Sequence, residues 1–511
     1  MEIKDWFKIK RYPHIGFPIE SRMRLQWIEK YITNPDQMAK HGFLPFIHKT
    51  NYQRKFRKKY DENTGKKIVF YEDEKLISRY KKEKKREIFY ASHIDALIYS
   101  YYATILNVEY EKCIEKHNIG EIINAYRSIP LNPTDPNSSN KCNVDFANDV
   151  FKYILDYNQT EFSVIAFDIS SFFDNLDHKL LRNIWMEVLD VKSLPPDHFN
   201  IYKNITRFSF IDLVDIFNLF QNQIFTRRKN KDGTNLPIKR RKVAKIKFLK
   251  SQNAIAFCTK KEFYANKGKL LRPSKTFKNK DGSITYKNFG IPQGSPISAI
   301  LANMYLLHFD KIINDVISKF GGIYRRYSDD MVVICPLNKK TEISELIYTE
   351  IEKYKLEIQR EKTQIFRFKK ENDRLICGQE FIKQINWDKN FIYLGFEFDG
   401  KYTKIKSGSI SNYYRKMKRS IRRAKHYSSK KGKFKNEIFK RRLYKMFTYK
   451  GAKRLKKYKW DNSQNKFIKS EDYNWGNFLS YVYKSSKVMV NNKIKGQIKN
   501  HWKVFHDELN S

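Results

Sequence analysis

At 511 residues the chain exceeds what one hydrophobic core organises, so two or three packed units are expected. A hydrophobic fraction of 41% with 15% aromatics excludes a disordered chain, and a net charge of +46, from 101 Lys and Arg against 55 Asp and Glu, calls for a polyanionic partner, with nucleic acid the first choice. Five cysteines without a CxxC pair argue against a zinc or disulfide framework, and with no signal core in Met1–Arg11 and no run of 18 apolar residues a soluble, cytoplasmic protein is expected.

Residues 1 to about 160 carry mixed helical patterns, with a basic strand-like run, Lys84-Lys85-Arg86-Glu87-Ile88-Phe89-Tyr90, before an apolar-periodic segment from Ile94 to Leu106. We read them as a first lobe. The polar stretch Asn132 to Lys141 is a loop. From Glu161 the pattern turns strand-like, and the apolar run Phe162 to Phe167 ends on Asp168. A long intervening segment, about 178–289, holds a helical part around Ile211 to Phe220 and two Asn-Lys-Asp-Gly sequences, 230–233 and 279–282, whose Asp-Gly pairs suit tight turns. The basic stretch Lys239 to Lys250 between them reads first as solvated strand or loop.

Ile323 to Leu337 reads as a hairpin with Asp329-Asp330 at its turn. From Lys401 onward the chain reads as helical and basic: between Lys401 and Trp460, 24 Lys or Arg stand against the single acid Glu437. Tyr413, Tyr414 and Trp460 read first as core, with packing on sugar or base as the alternative. The units expected are 1–160, 161–400 and 401–511.

Carboxylates crowd together at low cost only where cations neutralise them, so a strand-end Asp168 facing an Asp329-Asp330 turn makes sense mainly as a metal site. Nucleotidyl transfer asks for such a set: one ion activates a 3′-hydroxyl, a second steadies the pyrophosphate oxygens, and shared carboxylates hold the ions roughly 4 Å apart.

These residues carry a resemblance. Phe167-Asp168-Ile169-Ser170-Ser171-Phe172-Phe173-Asp174 resembles the first palm motif of reverse transcriptases, and Tyr327-Ser328-Asp329-Asp330 resembles their Tyr-x-Asp-Asp motif. Between them, Gly290-Ile291-Pro292-Gln293-Gly294-Ser295-Pro296-Ile297-Ser298 resembles the Pro-Gln-Gly loop of group II intron and retron enzymes. Three motifs in the required order distinguish the chain from one with a solvated Asp-Asp turn.

The resemblance implies an α+β right-hand polymerase: fingers over 1–160, a palm with an antiparallel sheet over 161–400 carrying a fingers-like insertion, and a basic helical thumb over 401–511. It implies catalysis by Asp168, Asp329 and Asp330, and metal binding by those three with Ile169, using two Mg2+ ions or Mn2+ in their place. Lys84 and Arg86 resemble the cations that hold the incoming triphosphate, and Lys362 in Glu361-Lys362-Thr363 resembles a lysine near the pyrophosphate. Gln293 is implied to contact the templating pair or the nucleotide. Tyr393-Leu394-Gly395-Phe396 resembles the primer grip, its glycine permitting close backbone approach. Lys416, Arg419, Arg422, Arg423, Lys453 and Arg454 would grip duplex phosphates.

RNA-dependent RNA polymerases place a second Asp five residues after the first; here that position is Phe173, implied to be the steric gate that selects dNTPs. Serine in Tyr-Ser-Asp-Asp replaces the alanine usual in group II and retron enzymes, a change that leaves the metal set alone and bears on fidelity. Tyr12-Pro13-His14-Ile15-Gly16, Ala125-Tyr126-Arg127-Ser128-Ile129-Pro130 and Leu194-Pro195-Pro196-Asp197-His198 resemble segments of bacterial defence-associated reverse transcriptases, relatives of the abortive-infection enzymes. What this implies is an RNA-directed DNA polymerase acting in antiphage defence with a dedicated noncoding RNA as template, DNA as product, no membrane, and a homo-oligomer left open. The alternatives are a retron or group II intron type, template-independent or protein-primed DNA synthesis, and an RNA-binding module that has kept the fold.

Overall fold

The computed structural model describes residues 5–511 except 58, 62, 64–65, 73–74, 78–79, 136–137, 229, 231–234, 274–275, 279–283, 430–437, 453–455, 462–465 and 474–475. The chain first builds a long antiparallel hairpin, β1 (Phe46–Arg57) with β2 (Tyr80–Tyr90). The two-residue period of β2 puts Lys84 and Arg86 on one face and Lys85, Glu87 and Phe89 on the other. α1 (His93–Lys116) follows at once, its first turn capped by Ser92, whose hydroxyl accepts from the Asp95 amide at 3.3 Å. α2 (Asn143–Asp156) buries Val144, Ala147, Val150, Phe151 and Ile154, one stripe at helical spacing.

β3 (Glu161–Asp168) then enters the middle of the molecule. After it, α3 (His178–Val188) and α4 (Pro196–Thr206) bury Leu181, Trp185, Ile201 and Ile205 in the same core as α1. This part of the expected 178–289 insertion therefore belongs to the central unit, because its apolar stripes have no other partner. The rest of that segment joins the β1–β2 hairpin, starting at β4 (Ser209–Asp212), which lies parallel to β1, and including β5 (Arg272–Pro273) beside it. Ile211, Phe217, Ile224, Val243, Leu249 and Phe257 join Ile15, Leu44 and Ile47 in a separate core. Both expected Asp-Gly pairs fall outside the described residues, though Thr276–Lys278 and Ile284–Tyr286, on either side of the second, pair antiparallel.

The central sheet has six antiparallel strands in the order β6-β7-β3-β8-β9-β10. β6 (Ile323–Tyr327) and β7 (Asp330–Pro336) form the expected hairpin, preceded by α5 (Leu307–Lys319). β8 (Gln364–Glu371), β9 (Arg374–Glu380) and β10 (Ile385–Asn386) complete the sheet. Both of its faces are covered, which explains why β3 and β7 read as unbroken apolar runs. Ile165, Phe167, Met331 and Val333 face the core of α1 and α3; Phe162, Val164, Val332 and Ile334 face a second core.

That second core holds a small sheet of β11 (Phe391–Tyr393), β12 (Phe396–Phe398) and β13 (Thr403–Ile405), with α6 (Ser407–Ser428), α7 (Phe478–Val488) and α8 (His501–Asn510). The sheet crosses position 400, the boundary expected from the sequence, and the helices begin after it. Helices dominate from there, as expected, but β14 (Lys456–Asp461) and β15 (Lys466–Tyr473) form a hairpin within the stretch read as wholly helical. The alternation Lys457-Tyr458-Lys459-Trp460 has the period of a strand, and the lysine count masked it. Among the described residues no helix is long and apolar enough to cross a membrane.

Candidate active site

Strand register brings the acidic residues together. Asp330 at the start of β7 pairs directly with Asp168 at the end of β3, and Asp329 occupies the turn before it. Residues at even positions of these strands face the second core, so the Asp168 and Asp330 side chains leave the sheet on the side of β11 and β12. The turn is fastened from beneath: the Asp329 carbonyl accepts from the Ile169 amide at 3.1 Å. Ile169 thus offers the site its main chain, while its side chain is buried.

Electrostatics record the crowding. Although Asp330 keeps an exposed surface, desolvation by the atoms around it, then the charges of Asp329 and Asp168, push its carboxyl up to about 7. Lys84 and Lys406 pull in the opposite direction, which places the β2 cation and the first residue before α6 within the field of the site. Lys362 reaches the Asp168 carboxylate at 3.4 Å, both side chains partly exposed. Among the described residues no three His, Cys, Asp or Glu side chains are gathered closely enough to hold a metal ion as they stand. The donor set is nonetheless all oxygen and acidic, the chemistry of Mg2+ or Mn2+, and the raised Asp330 carboxyl reflects burial first and then the like charges beside it.

The Pro-Gln-Gly loop is clamped between the palm and the fingers hairpin. The Phe173 carbonyl accepts from the Ile291 amide at 2.9 Å, and the Gln293 carbonyl accepts from the Phe89 amide at 2.8 Å. A Cβ at Gly290 would lie 2.6 Å from the Asp174 carbonyl oxygen, and one at Gly294, where φ is +117°, 2.7 Å from that of Phe89, so both contacts require glycine. Phe173 is half-buried, packed at the core margin beside Phe172 with ring centroids 5.7 Å apart. Lys84 and Arg86 are exposed on one face of β2.

At the expected primer grip, Tyr393 pairs with Phe396 across a two-residue turn of Leu394 (φ 44°) and Gly395 (φ 92°). No atom of this chain lies within 4 Å of where a Gly395 Cβ would stand, and the left-handed backbone there suits glycine. Lys416, Arg419, Arg422 and Arg423 are exposed on α6, opposite buried Tyr413, Met417 and Ile421. Arg422 is engaged by Glu508 at 2.6 Å. Tyr413 is core, stacked on Phe478 at 4.9 Å. Lys453 and Arg454 lie outside the described residues, as does the Trp460 side chain.

One supporting residue escaped the sequence reading. Arg326 is fully buried, bound bidentately to Asp310 of α5 at 2.6 to 3.0 Å, and its Nη1 donates to the Ser328 carbonyl at 3.2 Å. Ser328 itself sits at φ 62°, and its hydroxyl lies 3.3 Å from that of Tyr126. The signal was present: Tyr324 and Arg326 share a strand face, so an apolar-facing position held an arginine that needed an acid.

Residues 203–398 match the family described as reverse transcriptase (RNA-dependent DNA polymerase). That span includes Gln293, Asp329, Asp330, Lys362 and the 393–396 turn; Asp168, Phe173 and β2 lie upstream of it. With the antiparallel sheet and its covering lobes, the chain has the α+β architecture of a right-hand polymerase. No curated protein matches the sequence. Similar solved structures include telomerase from Candida albicans with a TWJ fragment of telomeric RNA, at 13% identity over 81% of this chain and 58% of that one, TM-score 0.34. Another is apo telomerase from Candida tropicalis truncated from its C-terminal domain, at 12% identity over 77% and 62%, TM-score 0.32. This chain thus spans less than two thirds of their length, and likeness at this level bears on neither activity nor partners.

Proposed function

We propose, from the reverse transcriptase match over residues 203–398, that the chain is an RNA-directed DNA polymerase working with two divalent metal ions. The pairing of Asp330 with Asp168 beside a turn carrying Asp329 is the observation that carries this reading, because it puts three carboxylates at one end of one sheet. Asp168, Asp329, Asp330 and the Ile169 main chain would hold the ions, Mg2+ or Mn2+, which when bound would activate a primer 3′-hydroxyl and neutralise departing pyrophosphate.

The chain's own residues do the rest. Lys362, paired with Asp168 at 3.4 Å, offsets part of that carboxylate's charge and would meet a phosphate. Lys84 and Arg86 present charge from the fingers for a triphosphate, Gln293 borders the templating pair, and the 393–396 turn steadies the primer end. Exposed cations of α6 grip the duplex backbone. Phe173 packs against C2′ of the incoming sugar and leaves no room for a hydroxyl. The antiphage role and the dedicated noncoding RNA rest on the resemblance of 12–16, 125–130 and 194–198 to defence-associated enzymes. Sequencing nucleic acid that copurifies with the protein identifies the template.

The central test compares kcat/KM for dGTP and GTP on one primed RNA template. Wild type should prefer dGTP, and Phe173→Val should shift the ratio toward GTP by about tenfold or more. Wild-type preference for GTP, or a ratio untouched by the substitution, sinks the DNA assignment. No incorporation on any primed template would favour an RNA-binding module instead.

A further inference from the structure

Away from the acidic site, the N-terminal segment and the start of α1 enclose a cavity of about 370 Å3, within the range of about 300 to 1,000 Å3 usual for small-ligand sites. Its walls include Phe17, Met23, Trp27, Tyr31 and His93, with Lys260 at the rim. Trp27 is displayed from a turn of π-helix, Arg24–Ile28, a rare conformation often kept where a site needs it. Phe17 and Trp27 each keep nearly half of their surface exposed, an unusual state for two large rings beside one hollow.

The walls are held in place. Tyr31 shares a hydrogen bond with His41 at 2.7 Å, and His41 in turn meets the buried Asp95 at 3.0 Å. Phe17 packs edge-on against Phe225 at 5.0 Å. His93 is 5% exposed, stacks on Tyr12 at 5.5 Å, and neither ring nitrogen has a hydrogen-bond partner. The Lys10 carbonyl is near enough to favour its cation without making a proper bond, and burial still pushes it down to about 4. At neutral pH the imidazole is therefore one donor and one acceptor. Lys260 makes no ion pair among the described residues.

We propose that this cavity receives a nucleobase together with its phosphate, the base stacking on Trp27 while Lys260 meets the phosphate. Charge selects this occupant over a second copy of the chain, which would bring another net +46 against a cationic rim. An aromatic platform beside a cation is how proteins hold unpaired bases, and every base offers a ring face. The site does not depend on the polymerase reading.

The test uses the full chain carrying Asp329→Asn and Asp330→Asn, so that nothing is turned over and failure of the catalytic assignment leaves the result untouched. 2-Aminopurine is the probe, because its fluorescence is quenched on stacking. Three forms are titrated: the riboside, the riboside monophosphate, and a single-stranded oligoribonucleotide with one internal 2-aminopurine. Saturable quenching is expected, weakened about tenfold or more by Trp27→Ser and within about twofold of normal for Trp27→Phe. Lys260→Gln should weaken the monophosphate and leave the riboside unchanged. Quenching of the oligonucleotide alone identifies the source as a base within a strand; quenching of both phosphate forms extends the site to free nucleotides. Melting curves establish that each variant folds, and Lys260→Gln, on an exposed side chain, carries the test if Trp27→Ser does not. Absence of saturable quenching, indifference to Trp27→Ser in a folded protein, or equal binding of riboside and monophosphate in both wild type and Lys260→Gln overturns the proposal.

Discussion

The acidic end of the central sheet and the basic face of α6 both face nucleic acid in this reading, yet they are specified in opposite ways. Asp168, Asp329 and Asp330 owe their places to strand register, where a slip by one residue would send every side chain to the other core. Lys416, Arg419 and Arg423 owe theirs only to lying off the apolar stripe of a helix, and any cation there would do. Geometry is expensive to specify and easily destroyed; charge density is cheap and redundant. Variants should therefore behave differently in the two regions.

The largest effect is expected at the acids. Asp329→Asn with Asp330→Asn should reduce dNTP incorporation by at least about a thousandfold while the metal-free protein melts no lower than wild type, since like-charge repulsion is removed. Wild-type synthesis by that variant would end the comparison. Next comes the support beneath them. Arg326→Met leaves Asp310 buried without its cation, held only by the Tyr324 hydroxyl, and should cost about 3–5 kcal/mol in urea unfolding, and adding Asp310→Leu should recover much of it. No loss of stability in the single variant would show that the pair is not what secures the hairpin.

A pH dependence follows from Asp330, whose carboxyl is raised to about 7. Below that value a cation must displace a proton, so the Mg2+ concentration for half-maximal activity should rise about tenfold per pH unit on the acid side and level off above 7. The same shift makes the metal-free fold less stable as pH climbs from about 4 to 7, because the unfolded chain releases this proton first. A half-saturation concentration that stays flat from pH 6 to 8 contradicts the coupling. The mildest effect is expected on α6. Replacing Lys416, Arg419 and Arg423 with Gln should lower the slope of log affinity against log salt by on the order of 2, equally for all sequences. A sequence-dependent loss would mean that these cations do read geometry after all.

The same contrast explains what could be read in advance. The apolar run ending on Asp168 and the strands around Asp329-Asp330 showed the sheet and its hairpin, because period and turn are local properties. Other features were not read in this way. α3 and α4 read as insertion because their amphipathic stripes do not say which core they enter, and Trp185 and Ile201 settle it only by contact. The β14–β15 hairpin was hidden by lysines that sit at alternate positions and still count as a charge run. Arg326 and its acid are 16 residues apart, too far for any helix or strand period to link.

The bond from the Phe89 amide to the Gln293 carbonyl has a mechanical meaning. Among the described residues it is the one backbone hydrogen bond from β2 to the Pro-Gln-Gly loop, five residues from Lys84, so the paired strands β1 and β2 would tilt together with a pivot at Phe89 and an arm of about 16 Å. A tilt of about 10° around that pivot carries the Lys84 main chain through roughly 3 Å while Gln293 stays where it is. In the proposed reaction such a tilt would swing charge onto a nucleotide, or withdraw it from pyrophosphate, without disturbing the loop proposed to border the base pair.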